Sequence, residues 1–194
     1  MKKPRVIKDY QRFYVETGIQ KVLEVLYRFP EKEFSLSDIA KEAGVAKANV
    51  GAILTELESV RFILIERLSK IWRIKANREN WGFAKNKIVY NLNFIYQSGL
   101  VEFLNEIYEN PKAMVIFGSF RRGEDTTNSD IDIAIEKEEF KEYRAIGLRQ
   151  LDEFEKAIGR KIQIHEFNRN NIDLNVFNNI ANGIVLTGFL EVNI

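Results

Sequence analysis

Apolar positions recur at helical spacing in the first third of the chain and at strand spacing where its chemistry lies. Ile19, Val22, Leu23, Val25, Leu26 and Phe29 predict a helix over 18–29, which Pro30 stops. Glu33 to Leu36 reads as a short extended piece, and Ser35 or Ser37 can cap a second helix, Asp38 to Ala43, closed by Gly44. Val45, Val50, Ile53, Leu54 and Leu57 mark the buried side of a third helix over 46–59. Two strand-like runs follow, Phe62 to Glu66 and Ile71 to Lys75, joined by Arg67-Leu68-Ser69-Lys70. Residues 76–82 are polar and read as a linker, after which Phe83 to Gln97 and Leu100 to Tyr108 share an apolar stripe and predict two helices.

The pattern then turns to strands. Met114 to Phe117 is an apolar strand, and residues 130–136 alternate strictly, with Asp130, Asp132 and Ala134 on one side and Ile131, Ile133 and Ile135 on the other. Glu138 to Ile158 is expected as one amphipathic helix ended by Gly159, Lys161 to Phe167 as a third strand, and Ile172 to Ala181 as a short helix before the apolar run 183–190. The fold class expected is α+β: an N-terminal domain of helices and a hairpin over 1–80, a helical linker over 81–109, and a small mixed sheet with helices on one face over 110–194.

Composition narrows this picture. The 194 residues are 45% hydrophobic and 12% aromatic, enough for one sizeable core or two small ones, and two small domains are expected. There is no cysteine, so thiolate metal sites and disulfides are excluded. No 18-residue apolar run and no apolar stretch resembling a signal peptide occurs, and a soluble cytoplasmic chain without a membrane partner is expected. Residues 1–80 hold 16 Lys and Arg against 11 Asp and Glu, whereas residues 81–194 hold 13 against 17. The N-terminal part, with its basic and aromatic first residues, is therefore the one suited to a polyanion.

The chemistry sits between the strands. Gly118-Ser119 follows the first strand, and ten residues later Asp130-Ile131-Asp132 opens the second. Paired carboxylates on one sheet face repel each other unless a cation lies between them, which suits an oxygen-liganded Mg²⁺. A glycine just after a strand lets backbone approach a ligand, and the amides and hydroxyl beyond it can take phosphate oxygens.

Gly118-Ser119, the ten-residue spacer with Arg122-Gly123 inside it, Ser129 and Asp130-x-Asp132 together resemble the signature of the polymerase beta nucleotidyltransferase superfamily, in particular its minimal nucleotidyltransferase, antitoxin-like branch. The resemblance covers residues 110–194. It implies that Gly118, Ser119 and Arg122 bind the phosphates of an NTP, ATP first among them, and that Asp130 and Asp132 are catalytic and bind Mg²⁺. Arg121 is the alternative cation to Arg122. In that family a third carboxylate on the next strand activates the attacking hydroxyl. Here Lys161 to Phe167 reads KIQIHEF, and alternation puts Gln163, His165 and Phe167 on the catalytic side and Glu166 on the other unless a bulge shifts the register.

The segment LSDIAKEAGVAKANVGAILTELESVRFI and the hairpin after it resemble winged helix-turn-helix domains of transcription regulators. The resemblance implies duplex DNA as partner, with the third helix in the major groove and the hairpin as wing. Lys47, Asn49 and Thr55 on the helix and Arg67, Ser69, Lys70 and Arg73 around the wing are placed for contact. Gly51 and Ala52 stand where long polar side chains often read bases, so backbone binding is favoured over base reading. A homodimer is the assembly such regulators use on two half-sites, and a protein acceptor or a toxin is the partner implied by the nucleotidyltransferase branch.

Overall fold

The computed structural model describes residues 17–68 and 71–192, and these divide into two compact units that meet within one helix, after Tyr90. The basic N-terminal residues 2–14, Ser69 and Lys70 lie outside the described residues. Among those described, no helix is long and apolar enough to cross a membrane.

The first unit is a winged helix-turn-helix: α1 (Gly18–Arg28), α2 (Leu36–Ala43), α3 (Lys47–Ser59), then the antiparallel hairpin β1 (Ile63–Leu68) and β2 (Ile71–Ala76). Its helices start where short polar side chains can reach back to the first turn. Thr17 with Gln20, and Ser35 with Asp38, each form a reciprocal capping pair. The hydroxyl and amide of Ser35 hold the Asp38 carboxyl below the usual carboxylate range. Gly44, in the left-handed conformation at φ 61, ends α2 and turns the chain into α3. Phe34 pairs with Ile74 as an isolated bridge, adding the extended piece before α2 to the wing, and Leu26, Ile39, Leu54, Ile63 and Ile74 bury completely around it.

Residues 76–82 are not a loose connection. Asn77 donates to the Arg61 carbonyl at 2.9 Å, and the Asn80 carboxamide oxygen accepts from the Phe83 amide at 2.9 Å, starting the next helix two residues earlier than the apolar pattern suggests. That helix, α4 (Trp81–Gln97), gives Phe83 to the core of the first unit and Phe94 and Ile95 to that of the second. Residues 81–109 are thus shared out between two cores.

The second unit continues with α5 (Leu100–Ile107), β3 (Ala113–Phe117), α6 (Gly118–Arg122) and β4 (Ile131–Glu136). After these come β5 (Arg144–Gly147), a 3₁₀ turn (Arg149–Leu151), α7 (Asp152–Ile158), β6 (Ile162–Phe167), α8 (Leu174–Ala181) and β7 (Ile184–Gly188). The sheet runs β5-β6-β4-β3-β7, mixed, with β4 and β6 parallel and the remaining pairs antiparallel. Ile131, Ile133, Ile135, Ile162 and Ile164 face the core built with α5 and α7. On the other face, Phe177 and Ile180 of α8 pack against Val115, Ala134 and Phe167.

The single helix expected over 138–158 is corrected. The chain there makes an edge strand first and a helix only from Asp152. Ile146 and Leu148 lie two apart rather than three or four, and Gly147 between them weakens a helix by about 1 kcal/mol, so pairing with the free edge of β6 prevails.

Candidate active site

The strand ends position the site. β3 and β4 pair so that Phe117 stands opposite Asp132, and the backbone turns sharply after Phe117. Gly118 has φ 72, and a Cβ built on it would lie 2.3 Å from Asp132 Oδ2. The turn and the carboxylate are therefore packed against each other at a contact that favours glycine. Ser119 follows in the first turn of α6, half-buried, and its hydroxyl makes no hydrogen bond to another described residue.

The loop between α6 and β4 is pinned at both ends. Asn91 donates to the Phe120 carbonyl at 2.8 Å and to Asp125 Oδ1 at 2.9 Å, and the Asp125 carboxylate, 1% exposed, lies 3.5 Å from Arg160. Nearer β4, the Ser129 hydroxyl accepts from the Thr126 amide at 2.9 Å while the Ser129 amide donates to the Thr126 carbonyl at 3.1 Å. This closed turn delivers Asp130, exposed, to the start of the strand. Asn91 and Asp125 carry no motif, and sequence reasoning missed them; burial of a short carboxylate beside an amide is visible only in the fold.

The two arginines of the motif separate. Arg122, expected at the phosphates, is exposed and ion-paired with Glu124 at 2.7 Å. Arg121 instead keeps a buried Nε without a hydrogen-bond partner. A buried donor left unsatisfied is costly, so Arg121 is the cation of this turn with hydrogen-bonding capacity to spare.

On the parallel neighbour, Gln163 is the register partner of Asp132 and shares its face. Glu166 lies on the opposite face, where its carboxylate accepts from Tyr108 Oη at 2.9 Å. There is no bulge in this pair, and the third-carboxylate position is a carboxamide. His165, one pleat along, is 7% exposed and hydrogen-bonded through Nε2 to Asp132 Oδ1 at 3.1 Å and through Nδ1 to Tyr143 Oη at 2.6 Å. Tyr143 belongs to the segment read from sequence as helix, and so its part here was missed.

A cleft of about 490 Å³ opens beside Asp130, lined by Thr127 to Asp130 on one wall and by Asp152, Glu155, Lys156 and Gly159 to Lys161 on the other. An adjoining hollow of about 350 Å³ reaches from Asp130 past Gln163 to Gly147 and Arg149. Among the described residues no cluster of three or more His, Cys, Asp and Glu side chains could hold a metal. Two carboxylates are a donor set that suits a hard divalent cation which completes its shell with substrate phosphates and water, as Mg²⁺ commonly does.

In the winged helix, Lys47, Asn49 and Thr55 are exposed on α3, the Thr55 hydroxyl donating to the Gly51 carbonyl at 3.0 Å. Arg73 is exposed on the wing, 3.7 Å from Glu66. Arg67 is committed within the unit: it donates to Glu58 through both terminal nitrogens, lies over the Trp72 ring at 4.9 Å, and draws the Glu58 carboxyl below its usual range. It fastens the wing to α3.

No curated protein matches the chain. Among solved structures, this chain is similar to MepR, a transcription regulator of the Staphylococcus aureus multidrug efflux pump MepA, with 17% identity over 53% of this chain and 75% of that one, at a TM-score of 0.38. It is also similar to Bordetella bronchiseptica BpsR, with 16% identity over 50% of this chain and 78% of that one, at a TM-score of 0.28. These likenesses are too slight to bear on the argument. The family described as "Polymerase beta, Nucleotidyltransferase" matches residues 100–188, which span every strand and turn of the site.

Proposed function

We propose that the protein is a Mg²⁺-dependent nucleotidyltransferase that moves a nucleoside monophosphate from an NTP, ATP before others, to a hydroxyl on a protein, and that its winged helix binds duplex DNA. The observation that carries the catalytic half is the contact of Gly118 with Asp132: a phosphate-binding turn and a metal-binding carboxylate leave no room between them for a side chain. Gly118 and Ser119 hold the phosphates, Arg121 rather than Arg122 offsets their charge, and Asp130 and Asp132 hold the ion. When bound, the ion neutralises charge developing on the phosphates and orients them. The acceptor oxygen attacks the α-phosphorus and the bond to pyrophosphate breaks. The cleft beside Asp130 is the side from which an acceptor can approach.

Thermal stability should rise with MgATP or MgGTP, because a ligand that binds only the folded chain stabilises it. The rise should vanish in the Asp130→Asn/Asp132→Asn double variant; an equal rise there would remove these residues from the site. Turnover is tested by incubating the protein with labelled NTPs, Mg²⁺ and cell extract and looking for a labelled macromolecule.

A second reading is favoured by Gln163. With a carboxamide where the family has its third carboxylate, the domain binds nucleotide or a partner without turnover, and the chain is a regulator of the minimal, antitoxin-like kind paired with a toxin.

The DNA-binding half rests on exposed Lys47, Asn49 and Thr55 on α3, on Arg73 at the wing, and on the excess of Lys and Arg in residues 1–80. Binding of duplex DNA to the full chain, as a homodimer in the cytoplasm, should weaken steeply as salt rises. Lys47→Ala with Arg73→Ala should lower affinity by a similar factor on all sequences and flatten the salt dependence, since phosphate contacts position without reading bases. No binding at low salt in a gel-shift or anisotropy measurement would make the winged helix a protein-interaction module.

A further inference from the structure

We infer that His165, held in turn by Tyr143, is the positioning residue that turns the Asp132 carboxylate so that it offers one oxygen, Oδ2, to the metal and phosphates. This rests on the nucleotide-binding reading above and adds a role for two residues outside the Gly-Ser and Asp-x-Asp signature.

For an ionised Asp132 carboxylate and a neutral His165 ring, the hydrogen bonds run in one direction. An ionised carboxylate can only accept, so at 3.1 Å from Asp132 Oδ1 the His165 Nε2 carries a hydrogen. In a neutral imidazole the other nitrogen is then an acceptor, and at 2.6 Å the Tyr143 hydroxyl donates to Nδ1. Burial and the nearby Asp132 charge both push the Tyr143 phenol above its usual range, which keeps that donor protonated. The ring plane is held as well: Phe117 meets His165 edge-on, with centroids 4.8 Å apart and planes at 71°.

The two carboxylate oxygens of Asp132 thus have separate surroundings. Oδ1 is occupied by His165, and Oδ2 lies against the Gly118 turn, where a Cβ would come within 2.3 Å of it. Freed from His165, Asp132 could rotate about its side-chain bonds and direct either oxygen, or neither, at the phosphates. The arrangement counts for more here than where three carboxylates share an ion, because Gln163, beside Asp132 on the neighbouring strand, brings no charge. Groups that orient metal-ligating side chains commonly affect metal affinity by roughly 10- to 100-fold.

The test is Mn²⁺ binding to the full chain, with and without ATP, followed by the electron paramagnetic resonance of free Mn²⁺. His165→Phe keeps a ring against Phe117 but has no donor, and Mn²⁺–ATP binding should weaken by roughly 10- to 100-fold. His165→Gln, a smaller side chain that still donates, should recover affinity to within about ten-fold of wild type. A merely structural role would order the two variants the other way. Tyr143→Phe removes only the donor to Nδ1 and should weaken binding by a smaller factor. Wild-type affinity in Tyr143→Phe together with wild-type affinity in His165→Phe overturns the inference. If His165→Phe does not fold, unchanged binding in Tyr143→Phe overturns it alone. If the wild-type chain takes up no Mn²⁺ with or without ATP, the nucleotide-binding reading falls and this inference with it.

Discussion

Gly118→Ala should abolish the gain in thermal stability that MgATP gives the wild-type protein. Two effects act together. The residue sits at φ 72, where a side chain is disfavoured by about 1–2 kcal/mol, and its new Cβ would lie 2.3 Å from Asp132 Oδ2. Strain alone should lower the melting temperature of the ligand-free protein by about 2–4 °C for each kcal/mol in a chain of this size. The contact does more damage to function than to stability. Asp132 Oδ2 faces the turn and would have to shift, while Oδ1 is hydrogen-bonded to His165. Ser119→Ala, which removes a hydroxyl but leaves the backbone as it is, should reduce the MgATP shift without eliminating it. A full MgATP-dependent shift in Gly118→Ala, measured by differential scanning fluorimetry, would show that the contact between turn and carboxylate does not matter for the ligand.

Gln163→Asp should raise nucleotidyl transfer by roughly 10²- to 10⁴-fold, the usual worth of general-base help. Gln163 is the register partner of Asp132 on a parallel neighbour, so the two side chains leave the sheet on the same face. A carboxamide there can accept a hydrogen bond but cannot take the proton of an attacking hydroxyl or share a cation's charge. Wild-type transfer should accordingly be slow while nucleotide binding persists, and the substituted protein should show the larger change in kcat rather than in KM. Glu166→Gln is the matched control. Its carboxylate accepts from Tyr108 on the opposite face, and burial together with that carboxylate pushes the Tyr108 phenol up. Losing the carboxylate should alter packing slightly and transfer hardly at all. Robust wild-type turnover abolished by Glu166→Gln would contradict the strand register itself.

Local chemistry made much of this legible before folding is considered. Ser35 and Asp38 around the start of α2, Gly44 at its end and the alternation of Ile131, Ile133 and Ile135 are each decided by neighbours within four residues along the chain. Gly44 and the isoleucines appear where the sequence puts them, and of the two candidate caps, Ser35 and Ser37, the structure uses Ser35, starting α2 at Leu36 rather than Asp38. The same holds for the face of Gln163, because a strand without a bulge has one alternation and the isoleucines of 162 and 164 fix its phase. The pairing of Gly118-Ser119 with Asp130-x-Asp132 was readable because its joint spacing resembles a family signature.

Other features depend on partners distant in sequence. β5 exists because the edge of β6 offers backbone groups to pair with, which the weak local signals around Gly147 do not announce. Once that strand forms, Tyr143 stands beside His165, 22 positions on, and the Tyr143–His165–Asp132 chain becomes possible. Arg121 and Arg122 are adjacent and alike in sequence. Their difference arises because one Nε is buried without a partner while the other guanidinium meets Glu124 in solvent. Arg67, expected as a wing contact, has Glu58, nine residues earlier on α3, as its partner within the unit. Periodicity therefore determined most of the elements, 138–151 excepted, since these are set by short-range backbone geometry. Which side chains are already engaged, and which remain free for a ligand, was decided only when the sheet and helices brought remote partners within hydrogen-bonding distance.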